Sequence, residues 1–150
     1  MDYRSFWESV KVKGIEIGLE ANYFTHFENN DTQNCKLSNV GLKRCSYYFD
    51  ISAQAGCFIR LNHTNADWNK KIYDMVLSCK EDLEQSIGVP MEFNAEELSA
   101  GICAHPKDHS LEFLVGKTSE EELSIHLIRC FYLMLEEVDH VFRNSMDEAY

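Results

Sequence analysis

The heptapeptide Cys103-Ala-His-Pro-Lys-Asp-His109 sets one thiol and two imidazoles, Cys103, His105 and His109, close together in the chain. His126 and Cys130 follow, four residues apart, about one helical turn. Two chemistries use such residues. A zinc site needs four converging ligands, usually as C-x₂₋₄-C and H-x₃₋₅-H pairs. His105 and His109 meet that spacing, Cys103 and His105 are closer than the usual pair, and Lys107 opposes a cation. Cys103, His105 and His109 are therefore metal candidates that make half a site. His126 and Cys130 complete it only if the loop folds over the last helix. On a helical wheel Cys130 lies at the edge of the core and His126 points to the polar flank. The preferred reading is a polar loop, with no metal and no cofactor. A thiol hydrolase needs its cysteine activated by a histidine and oriented by a third group. His105 shares a strand face with Cys103, but no glycine-rich turn presents the thiol, so no catalytic residue is assigned and the expectation leans away from an enzyme.

Carboxylates offer the next chemistry. Asp50 sits inside "YYFDIS", where a metal-dependent nuclease places its first acid, but the following run "CFIRLNH" lacks the Glu-x-Lys element that would hold the metal and polarise water. Asp50 is read as scaffold, at a sheet edge or capping a turn. The distribution of charge says more. Residues 1–75 hold nine Lys/Arg and nine Asp/Glu, whereas residues 76–150 hold five and sixteen, so the net charge of −11 falls in the second half. A nucleic-acid binder must neutralise phosphates with a positive footprint, which makes nucleic acid an unfavoured partner. A protein with a basic surface is the natural complement. The acidic face assigned to it is Glu81, Asp82, Glu84, Glu96, Glu97, Glu120, Glu121 and Glu122, on the condition that the two helix segments neighbour each other. The competing footprint is a basic groove of Arg4, Lys43, Arg44, Arg60, Lys70 and Lys71.

These residues need elements to position them. "RCSYYFDIS" and "CFIRLNHT", joined by "AQAG", form a hairpin with Phe58 and Arg60 on one face and Ile59 and Leu61 on the other. Core is the preferred place for Tyr47, Tyr48 and Phe49; a homodimer seam and a binding hot spot are the alternatives. Trp68, Ile72, Met75, Val76, Cys79, Leu83 and Ile87 recur at helical steps and predict one helix from the cap Asn65 to the stop Gly88-Val-Pro90. A helix covers roughly residues 2–12, with Gly14 a possible bulge in the alternating run that follows. Residues 28–34 are a polar loop, "MEFN" and "SLEFLVG" are strands, and helix and strand compete over "AEELSAGIC". Ser119 and Glu122 form a capping box ahead of a long helix whose stripe is Leu123, Leu127, Phe131, Met134, Val138, Val141 and Phe142. The outcome is a single α+β domain over residues 1–150, an antiparallel sheet with a central hairpin packed on about three helices. The six cysteines read as reduced small hydrophobes. With no long apolar run and no signal-like start, the expected location is cytoplasmic, away from membranes.

The aromatic start Phe6-Trp7, the strand pair "YYFDISAQAGCFIRLNH", the helix "DWNKKIYDMVLSCKEDLEQSIG" and the closing "FRN" occur in an order that resembles a family of uncharacterised bacterial domains often attached to restriction-endonuclease-like modules. The resemblance implies an α+β domain from restriction or defence systems and transfers no site residue. The expected function is a non-catalytic acidic interaction protein of the inhibitor or immunity type. The alternatives are an accessory domain of a defence nuclease and a small enzyme or zinc protein using the Cys103–His109 region.

Overall fold

A computed structural model describes residues 1–41, 44–52, 54–103 and 119–149. Helix α1 (Tyr3–Glu16) starts where the Asp2 carboxylate accepts the amides of Arg4 and Ser5. It runs past the expected end near residue 12, because Phe6, Trp7, Val10 and Gly14 fall on one buried face at helical spacing. Gly14 is not a bulge. A β-carbon there would lie 2.4 Å from the Phe24 ring, on the 3₁₀ turn Ala21–Phe24, so the helix packs closely only because this residue has no side chain.

Five strands form one antiparallel sheet in the order β1-β2-β3-β5-β4: β1 (Asn34–Leu37), β2 (Cys45–Asp50), β3 (Gly56–Leu61), β4 (Glu92–Asn94) and β5 (Ser99–Ile102). The expected hairpin is β2–β3, with Tyr47 opposite Ile59 and Phe49 opposite Cys57. β1 begins as the polar loop ends. Strand wins over helix at residues 99–102, and "SLEFLVG" lies outside the described residues.

The expected single helix after the hairpin is two, α2 (Ala66–Leu77) and α3 (Lys80–Ile87). The interruption falls at Ser78–Cys79, where Cys79 leaves helical geometry and the Ser78 hydroxyl donates to the Met75 carbonyl at 2.6 Å. The break re-aims α3 so that Leu83 and Ile87 are buried. Asn65 caps α2 through the amide of Trp68, and Gly88 ends α3 at a positive φ of 78°. α4 (Glu120–Leu133) continues through a π-helical turn (Met134–Val138) into α5 (Asp139–Glu148), a single C-terminal rod. Ser119 accepts the Glu122 amide, which is the serine half of the capping box.

The helices lie on one face of the sheet. α1 packs on α4, α2 on α5, and α4 on β3 and β5. Cys35, Leu37, Tyr47, Phe49, Cys57, Ile59, Leu61, Ala100 and Ile102 point into that layer and are buried. Edge-to-face rings of Trp7, Phe24, Phe27, Phe49 and Phe131 fill its centre. No helix among the described residues is long and apolar enough to cross a membrane.

Candidate functional site

With all described helices on one side, the other face of the sheet presents the alternate residues. The strand register makes a row across it: Lys36 of β1, Tyr48 of β2, Phe58 of β3, Gly101 of β5 and Glu92 of β4. A second row runs Ser46, Arg60, Ser99 and Asn94. Asp50 stands at the end of β2, opposite Asn34 and Gly56.

Tyr48 and Phe58 stack, with ring centroids 5.7 Å apart and planes 25° from parallel. The Phe58 ring lies across Gly101, where a β-carbon would come within 2.4 Å of it. The ring thus covers the bare glycine backbone, which explains why Phe58 is buried on a face without helices. Burial pushes the Tyr48 phenol up, against the opposing effects of the Ser99 hydroxyl and Arg60, so it is a neutral hydrogen-bonding group at ordinary pH.

This aromatic floor is bounded by acids. A depression of about 580 Å³ is lined by Tyr48 and Phe58 together with Asp50, Glu92, Glu96 and Glu97. A second, of about 340 Å³, shares Tyr48, Asp50 and Glu97 with it and adds Lys36 and Arg60. Arg60 meets Glu97 at 3.4 Å. Asp50 accepts the Ser52 amide at 2.7 Å and its hydroxyl at 2.6 Å, so it caps the turn, from an interior strand rather than an edge.

The eight acids assigned from sequence fall into three places. Glu96 and Glu97 line the depression, and Asn94 fixes their turn by accepting both amides. Glu81, Asp82 and Glu84 lie on α3, where Glu84 accepts the Met91 amide at 2.7 Å. Glu120, Glu121 and Glu122 form the first turn of α4, where Glu121 pairs with Lys13 of α1 at 3.2 Å. The condition that the two helix segments neighbour each other is not met. α3 packs on the π-turn at residues 134–138, roughly 20 Å along the rod from the first turn of α4 at 1.5 Å per residue.

Several of the basic set are engaged by acids or rings. Arg4 pairs with Asp31 at 3.7 Å and Arg60 with Glu97, while Lys70 pairs with Asp74 at 2.6 Å. Arg44 lies over the Trp68 ring, Lys71 is exposed on α2, and Lys43 is outside the described residues.

Of the thiol and imidazole candidates, His105 and His109 lie outside the described residues. His126 corrects the helical wheel: it is buried, 1% exposed, and meets the Ala55 carbonyl at 2.8 Å through Nε2. Cys130 is also fully buried rather than at the core's edge, with Sγ 3.6 Å from the same nitrogen. The wheel assumed a helix covered on one side only, whereas α4 is packed by α1, β3 and β5 and roofed by the hairpin turn at Ala55. A carbonyl can only accept, so Nε2 carries the proton toward Ala55. Burial drives the thiols of Cys57 and Cys130 far up and that of Cys103 to about 12, which keeps them protonated and poorly nucleophilic. Among the described residues no group of three or more His, Cys, Asp or Glu is placed to hold a metal ion.

Sequence reading missed the central residues of the face, Tyr48, Asp50, Phe58 and Glu92, as a set. The alternation in "YYFD" and "CFIR" carried half the signal; the pairing with β5 and β4 carried the rest. No family model, curated protein or solved structure matches this chain.

Proposed function

We propose that the protein is a non-catalytic interaction protein that docks a basic protein surface, in the manner of an inhibitor or an immunity protein, through the face of its sheet that no described helix covers. One observation carries this reading: a depression of about 580 Å³ on that face has a stacked Tyr48–Phe58 floor and four carboxylates, Asp50, Glu92, Glu96 and Glu97, around it. An aromatic floor suits the aliphatic stem and planar head of an arginine or lysine side chain, and the acids supply the opposing charge. The C-terminal half holds the whole excess of negative charge, which steers a basic partner from a distance. Glu120–Glu122, at the far end of the rod, contribute to that steering without touching the same part of the partner.

The test is affinity capture with the tagged full chain from its native cells, washed at low and at high salt. One basic protein is expected, lost as salt rises. Glu92→Lys combined with Glu96→Lys is expected to weaken its binding at low salt by about 100-fold, Tyr48→Ala by about tenfold, with folding intact by circular dichroism. Glu120→Lys is expected to change mainly the association rate. Retention of the partner by the Glu92/Glu96 variant at unchanged affinity rejects this face as the docking surface.

A further inference from the structure

Helix α1 has a second face that its packing does not use. Phe6, Trp7, Val10 and Gly14 turn inward, and Val12 and Ile15 turn outward, 53% and 42% exposed. Both are β-branched and therefore mediocre helix formers, so neither helix propensity nor solubility accounts for them on an exposed helical face. Lys11 and Glu16 flank them. Neither makes an ion pair among the described residues, whereas Lys13, on the inner side of the same helix, is taken by Glu121.

Lys11, Val12, Ile15 and Glu16 occupy positions g, a, d and e of one heptad. We propose that this face binds a second copy of the chain, with the two α1 helices parallel about a two-fold axis. In that arrangement Val12 meets Val12 of the other copy, Ile15 meets Ile15, and Lys11 of each reaches Glu16 of the other, giving two symmetric ion pairs. An antiparallel arrangement would oppose Lys11 to Lys11 and Glu16 to Glu16, so the charges select the parallel one. Charge also selects the occupant. α1 and its preceding cap carry Arg4, Lys11 and Lys13 against Asp2, Glu8 and Glu16, a balanced element in a chain of net charge −11. Two copies meet there with less repulsion than their acidic halves would bring to a contact, and Glu8, at the preceding d position, limits the seam to the one heptad. The contact is confined to this one heptad; Ile17, just beyond Glu16 and 60% exposed, turns to the α4 side, where it lines a separate shallow depression with Tyr132 and Leu133. One heptad buries less than about 1,200 Å², the size of a weak, reversible interface.

Sedimentation velocity of the full chain from about 10 µM to about 1 mM, the range for an interface of this size, reads the equilibrium directly. The wild-type chain is expected to pass from monomer to dimer within it. Lys11→Glu alone and Glu16→Lys alone each create like-charge pairs and are expected to raise the dimer Kd at least about tenfold. The double variant K11E/E16K exchanges the two signs and is expected to return Kd to within about threefold of wild type, since the parallel pairs re-form reversed. Ile15→Ser is expected to abolish the dimer, and circular dichroism of every variant is expected to match wild type. A chain that stays monomeric to the top of the range overturns the proposal. So does a dimer indifferent to the single charge variants, which uses another face, and so does failure of the double variant to recover.

Discussion

Asp139 is a buried carboxylate with both oxygens engaged, accepting Tyr47 O–H at 2.7 Å and Arg143 Nε at 2.6 Å. Full engagement is what makes a buried charge tolerable. Tyr47→Phe leaves one oxygen without its donor and is expected to cost about 1.5–3 kcal/mol, the range for hydrogen bonds to charged groups, measured as a lower urea midpoint at unchanged slope. Gly101 answers to a different constraint. A β-carbon there would lie 2.3 Å from the Cys57 carbonyl and 2.4 Å from the Phe58 ring. The carbonyl belongs to the β3–β5 ladder and cannot yield, so Gly101→Ala is expected to cost about 1–3 kcal/mol. The same change is expected to lift Phe58 from the sheet and expose it, readable as a changed aromatic environment in near-ultraviolet circular dichroism. Nothing in "SAGIC" announces this. The requirement on residue 101 comes from residue 58, which is its neighbour only through strand pairing.

At the scale of elements, local chemistry was legible wherever it was self-contained. Asn65, Ser119 and Gly88 act as the caps their residue types predict. Ser119→Ala is expected to destabilise the fold by about 0.5–2 kcal/mol, the usual cost of losing an N-cap acceptor, as a lower urea midpoint. The stripe of the C-terminal rod is buried as read from Leu123 to Phe142, with Val141 only partly covered. Its π-turn at Met134–Val138 was not foreseen, because one extra residue in a turn leaves no composition signature. The break at Ser78–Cys79 escaped for a similar reason. Apolar spacing continues across it, so the pattern of residues does not mark the interruption.

For the molecule as a whole, the buried thiols and phenol set an alkaline limit. Burial raises Cys57 and Cys130 above the ordinary thiol value of 9.0 and Tyr47 above 10.0, with Asp139 adding to the effect on Tyr47. The folded chain therefore holds these protons where the unfolded chain releases them. The stability they contribute is complete below pH 9 and falls as pH rises beyond it. Urea midpoints between pH 7 and 11 are expected to decline above pH 9, and Cys57→Ala with Cys130→Ala to flatten the first part of that decline; a midpoint constant to pH 11 contradicts the reading. The α+β class, the β2–β3 hairpin, the caps and the long terminal helix were determined by the sequence itself, because periodicity and turn chemistry act over a few residues. So was the crowding of negative charge into the second half. Tertiary structure alone decided where that charge can act. It separated the acids of α3 from those at the start of α4, buried His126 and Cys130 that a wheel had left near the surface, and built from four strands a face where acids and aromatics meet. Two of the pairings behind it are local, β2 with β3 and β4 with β5, but the join of β3 to β5 is long-range, and that join has no trace in the order of residues along either strand.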